Sequence, residues 1–149
     1  MKPLQYLIAV FTNKCPRCRK GYLYKTTNPY NLKQNTRMNE HCPVCGQPTD
    51  LEVGFYYGTG YVSYALSLMF LAISFILWKV FIGLTFDIDD NRIIYWMIIS
   101  IGLLILCQPL IMRLSRTLWL SWFVKYDANW KYNKPEQRER VVEEHMHNW

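Results

Sequence analysis

The stretch GYVSYALSLMFLAISFILWKVF (residues 60–81) decides the fold. Its twenty-two residues carry no charge except Lys79 near the far end, and at helical rise they cover the roughly 30 Å hydrocarbon core of a bilayer. A second run, IIYWMIISIGLLILCQPLIM (residues 93–112), is twenty residues long without a formal charge. Pro109 near its end is tolerated in a membrane helix, because bundle neighbours satisfy freed backbone groups. The rest of the 149-residue chain is too small to cover two uniformly apolar helices as a soluble core. Composition agrees, since 51% of the residues are hydrophobic while the mean hydropathy is only -0.06, so apolar residues are gathered in blocks.

The chain divides into a short amphipathic segment (1–13), a four-cysteine zinc ribbon built of short β hairpins (14–50) and an aromatic linker (51–59), followed by a first transmembrane helix (60–83). An outward loop (84–92), a second transmembrane helix (93–114) and an interfacial and cytoplasmic tail with a C-terminal helix (115–149) complete it. In the first segment Leu4, Leu7, Ile8 and Phe11 fall at helical spacing, which suits packing on the metal domain or lying in the interface. The segment is too short to span and lacks a cleavage site.

Orientation follows from Lys and Arg, which hold short loops on the cytoplasmic side. Eight precede the first span (Lys2, Lys14, Arg17, Arg19, Lys20, Lys25, Lys33, Arg37) and seven follow the second (Arg113, Arg116, Lys125, Lys131, Lys134, Arg138, Arg140). The connecting segment holds only Arg92, beside Asp87, Asp89 and Asp90. Both termini are expected in the cytoplasm, as those of a multi-pass membrane protein. The net charge of +6 then reflects this topology and anionic lipid headgroups, not nucleic acid. Tyr22, Tyr24 and Tyr30 read as packing area for a small domain rather than as base-stacking platforms.

Cys15-Pro-Arg-Cys18 and Cys42-Pro-Val-Cys45 are the metal ligands to expect. Two residues between sulfurs let one tight turn present both thiolates to a tetrahedral ion, with Pro16 and Pro43 stiffening the turn and Gly46 accepting a positive φ after it. Cytoplasmic placement argues against disulfides. One structural zinc per chain is favoured over iron, and Lys14, Arg17, Arg19 and Lys20 stand where they offset the −2 charge of a tetrathiolate around a divalent ion. A closed four-sulfur site offers no position for substrate, and no nucleophile, Walker or paired-carboxylate arrangement is present in the sequence, so a non-enzyme without a small-molecule substrate is expected. Asp87, Asp89 and Asn91 begin a calcium loop, but Arg92 and Ile98 occupy its glycine and glutamate positions. Cys107 and Met112 read as apolar filler rather than soft copper ligands, and His145 with His147 as a solvated tail.

The order CPRCRKG, CPVCG, EVGFYYGTGYVSYA and PLIMRLSRTLWLSWFVKYD resembles the small bacterial membrane-protein family catalogued as domain-of-unknown-function 983, in its Bacteroidetes form, over residues 7–127. The resemblance implies a ribbon fused to two spans, with no established activity. Some relatives are encoded near haem–copper oxidase genes, which implies respiratory assembly. Where members often carry Glu-Pro-Gly this chain has Glu52-Val53-Gly54.

The linker after the ribbon reaches only about 45 Å when extended, so the ribbon is expected at the membrane surface. Glu52, Phe55, Tyr56, Tyr57 and Tyr61, with Arg116 and Trp119, are the candidate contacts to an integral membrane complex; an ordinary aromatic belt is the competing reading. Arg113, Arg116, Trp119, Trp122 and Lys125 alternate basic and aromatic residues, the pattern of a helix emerging along headgroups. The function expected is that of a non-catalytic accessory subunit or assembly factor of a larger inner-membrane complex, related to haem–copper oxidases. The alternative is a metal- or redox-responsive ribbon anchored in the membrane.

Overall fold

Only Gly102 and Pro109 interrupt the helix-forming residues of the second apolar run, and each run lies in one unbroken helix. The structure, a computed structural model, describes residues 3–83 and 91–135. In chain order these form α1 (Pro3–Phe11), a 3-10 turn (Phe55–Gly58), α2 (Thr59–Phe81) and α3 (Arg92–Phe123). None of the apolar stretch ending in α2, and 6% of that in α3, is buried inside the chain, and both helices are long and apolar enough to cross a membrane.

The two long helices lie antiparallel. Near one end Trp96 Nε1 donates to Ser74 Oγ at 3.3 Å, the Ser74 and Ser100 hydroxyls lie 3.2 Å apart, and the Phe75 and Trp96 rings meet edge to face at 5.1 Å. At the other end Trp119 Nε1 donates to the Phe55 carbonyl at 2.8 Å. Here Gly58 is required: a Cβ on it would stand 2.3 Å from the Trp119 ring. With 32 residues against 23, α3 is about 13 Å longer than α2, and the surplus is the post around which the cysteine domain folds.

That post enters a shared core. Leu23, Tyr24, Leu51 and Phe55 pack with Leu120 and Val124 of the α3 end around three buried cysteines. Leu23 and Leu120 are fully buried. Deeper along the helix stands Arg113, 1% exposed. Its Nε reaches the Asn35 carbonyl and Oδ1 at 3.0 and 2.8 Å, Nη1 the Tyr22 hydroxyl and Thr27 carbonyl at 3.1 Å each, and Nη2 the Thr26 hydroxyl and Asn28 carbonyl at 3.0 Å each. Every guanidinium nitrogen therefore donates to the ribbon, and none of these acceptors is a carboxylate. The Tyr24 ring lies 4.7 Å from Cζ, and its hydroxyl donates to the Arg113 carbonyl at 2.7 Å. Burial pushes that phenol up to about 12, so it remains a donor.

Two expectations change and a third gains detail. The hairpins of the ribbon are isolated antiparallel bridges, Lys14 with Tyr22, Tyr24 with Met38 and His41 with Pro48, and no strand forms among the described residues. Beyond the Tyr24 and Met38 bridge the ladder meets competition: the carbonyls of Thr27, Asn28 and Asn35 accept from Arg113, and that of Thr36 accepts from Arg116 at 2.9 Å. Second, α3 runs through residue 114 to Phe123, and Arg113, Arg116 and Trp119 bond to the ribbon and the 3-10 turn. Third, α1 turns Ala9 and Val10 inward and joins Tyr6 to Ser121 at 2.8 Å, which leaves Leu4, Leu7, Ile8 and Phe11 on its exposed face. Residues 84–90 of the outward loop and residues 136–149 of the tail, with His145 and His147, lie outside the described residues.

Arg113→Lys keeps the charge but loses the planar fork, stranding several buried carbonyls and costing on the order of 3 kcal/mol. Trypsin should then cut after the exposed Lys25, Lys33 and Arg37 faster than in the parent protein, whose loop backbone the fork holds in place; equal rates in both would show that the fork does not hold the loop.

Candidate metal centre

Each Cys-Pro-x-Cys turn closes on itself. The Cys15 carbonyl accepts from Arg19 N at 2.8 Å and the Cys42 carbonyl from Gly46 N at 2.9 Å, with Arg19 and Gly46 both left-handed at φ 58° and 69°. The two turns thus share one backbone geometry and present their sulfurs to a common point. Gly21 lets them meet, because a Cβ there would stand 2.3 Å from Cys42 Sγ.

The four sulfurs lie within 4.8 Å of one another, with Cys15 to Cys45 at 3.7 Å and Cys18 to Cys42 at 3.8 Å. Four thiolates at about 2.3 Å from a central divalent ion have tetrahedral edges of about 3.8 Å, so the cluster fits one ion. A multi-iron cluster would hold its thiolates further apart. Cys15, Cys18 and Cys42 are buried and Cys45 is partly exposed, which makes the site closed. As thiols Cys15, Cys42 and Cys45 are unequal. A hydrogen bond with Cys15 pulls Cys42 down to about 5, the same bond and burial push Cys15 well above the usual thiol range, and burial pushes Cys45 up to about 11. A bound divalent ion takes the place of those protons.

Arg17, between the first two cysteines, is 3% exposed. Its Nη2 donates to the carbonyls of Asn133 and Lys134 at 2.8 and 2.9 Å and reaches Asp127 Oδ2 at 3.4 Å, while Nη1 reaches the Cys45 carbonyl at 3.4 Å. One guanidinium therefore places a positive charge beside the sulfurs and ties residues 127–134 over the site as a strap. Arg19 stacks on Tyr126 at 4.1 Å and Lys20 stands over Trp130 at 5.9 Å, continuing the strap. Sequence reading assigns Arg17 its charge role but not the strap; the signal was the pairing of a basic residue inside a knuckle with the late Asp127.

The candidate partner residues separate into two groups. Phe55, Tyr56, Arg116 and Trp119 are engaged within the chain: Phe55 is buried, the Tyr56 hydroxyl donates to the Thr49 carbonyl at 2.5 Å, Arg116 lies 4.9 Å over the Tyr56 ring, and Trp119 packs on Phe55 and Phe123. Glu52, Tyr57 and Tyr61 face outward, the two tyrosines 81% and 82% exposed.

No protein-family model, curated protein or solved structure matches the chain. The family resemblance accordingly stands on the quoted motifs alone.

Cys42→Ser should make residues 12–50 protease-sensitive and drop bound metal from one ion per chain to none, since a domain this small depends on its ion. Unchanged protease resistance would remove the structural role. The strap is sensitive to acid. The Asn133 amide first, then Asn129 N and Arg17, hold the Asp127 carboxyl below its ordinary value, so its contribution is present above about pH 4 and is lost as pH falls through the depressed value. Asp127→Asn should speed proteolysis within the strap at pH 7, with parent and variant converging as the parent's carboxyl is protonated.

Proposed function

We propose that the protein is a non-catalytic accessory subunit or assembly factor of a larger bacterial inner-membrane complex, respiratory and related to haem–copper oxidases as the family resemblance implies. The observation that carries this reading is the open perimeter of the two long helices: they pack on each other along one face, yet almost no residue of their apolar stretches is fully buried within the chain. Hydrophobicity alone does not draw helices together in lipid, so packing faces for neighbours require small residues and shaped aromatics. α2 offers both outward: exposed Tyr57, Tyr61 and Tyr64 at its start, and Ala65 and Ala72 among exposed apolar residues further along.

In this reading α2 and α3 cross the membrane, and the fifteen Lys and Arg of the flanks against Arg92 of the loop keep both termini in the cytoplasm. The cysteine domain sits at the cytoplasmic face, fixed to the end of α3. Zinc is the ion this reading assigns, on the type of site: four cysteines in two paired turns, buried and closed, with no vacant position for substrate, which also favours a structural over a sensing role.

Purification in mild detergent followed by mass spectrometry tests the assignment, and elemental analysis tests the ion. A stoichiometric integral-membrane partner is expected, weakened several-fold by Tyr57→Ala with Tyr61→Ala while the metal content stays at one zinc per chain. A protein that runs alone, unchanged by these substitutions or by Ser67→Trp, would end the accessory-subunit reading; iron in the site would end the zinc assignment. Labelling of a cysteine placed at Asn148 but not of one at Asp89, by an impermeant reagent on intact cells, would reverse the topology.

A further inference from the structure

We infer that the loop of residues 28–35 docks into the headgroup boundary of an anionic lipid leaflet. The inference rests on the membrane-spanning reading of α2 and α3. Depth along α3 is what places the loop. Asn35 Nδ2 donates to the Pro109 carbonyl at 3.2 Å, and the carbonyls of Asn28 and Asn35 are held by Arg113. Pro109 lies about 4.5 Å inside Met112, the last residue of the uncharged run, so the loop is bound at the rim of the hydrocarbon layer. α1 by contrast joins α3 at Ser121, about 14 Å beyond Met112.

The loop is built for that depth. It is ordered by its own bonds, Tyr30 N to Asn28 Oδ1 and Gln34 N to the Asn31 carbonyl, both 2.9 Å. Yet its tip turns Leu32 and Tyr30 outward, 76% and 54% exposed. Leucine inserts among acyl chains, and tyrosine places its ring at headgroup level with its hydroxyl toward water. The exposed cations Lys25, Lys33 and Arg37 flank this tip, and no Asp or Glu occurs anywhere before Glu40, so no acidic side chain of the segment opposes lipid phosphate.

The test uses full-length protein with Cys107→Ser, its metal retained, carrying a fluorophore on one introduced cysteine at a time, in vesicles rich in phosphatidylglycerol. Nitroxides are placed shallow or deep on the lipid. A label at Leu68, exposed in mid-α2, should be quenched by deep nitroxides; a label at Leu32 by shallow ones; a label at Lys131, on the strap, several-fold less by either. Quenching at Leu32 should fall in phosphatidylcholine vesicles. A Leu32 label that behaves like the Lys131 label, or is quenched as deeply as Leu68, overturns the docking of the loop while leaving the spans in place. Equal quenching in both lipids overturns the anionic preference, and an unquenched Leu68 label overturns the spanning reading itself.

Discussion

A single guanidinium organises this molecule. Arg113 is buried without a carboxylate, and its charge is met by carbonyls, hydroxyls and the face of Tyr24. Desolvating such a group is costly unless every donor is paired, and only a loop curled round the fork supplies that many acceptors at once. The ribbon pays for this in regular structure, since carbonyls aimed at Arg113 are withdrawn from any strand ladder. What it gains is a fixed position on α3.

Two guanidiniums divide the work at the cysteine domain. Arg113 ties its loop to the helix, and Arg17 ties the chain beyond the helix to the cysteine turn. Leu120 and Val124 fill the space between, so the sulfurs, the helix end and the strap share one core. A four-thiolate ion in that core would join segments that few aliphatic contacts could hold alone, and its loss would then reach well beyond the knuckles.

The apolar helices and the four cysteines were legible in the sequence because their signals are local: twenty uncharged residues in a row, and two residues between paired sulfurs. The contacts of Arg113 with Asn35 and of Arg17 with Lys134 span 78 and 117 positions and leave no periodic trace, so basic residues that close the structure looked like headgroup anchors or charge balance. The same limit explains the hairpins. GYLYKTT is β-prone, but its last carbonyl, that of Thr27, and the hydroxyls of Tyr22 and Thr26 answer a residue about ninety positions away. Helical spacing found the apolar stripe of α1, while the face that packs on α3 was set by the small Ala9 and Val10 and by the Tyr6 bond to Ser121.

The shared core also imposes an order on biosynthesis. Tyr24 leaves the ribosome 89 residues before Arg113, the residue whose carbonyl its hydroxyl needs, and Arg17 leaves 117 residues before Lys134. During that interval the cysteine turns have neither post nor strap. The cysteine domain therefore cannot complete its core until residues 113–134 have emerged, and until then its four thiols lack the helix and the strap that bury them.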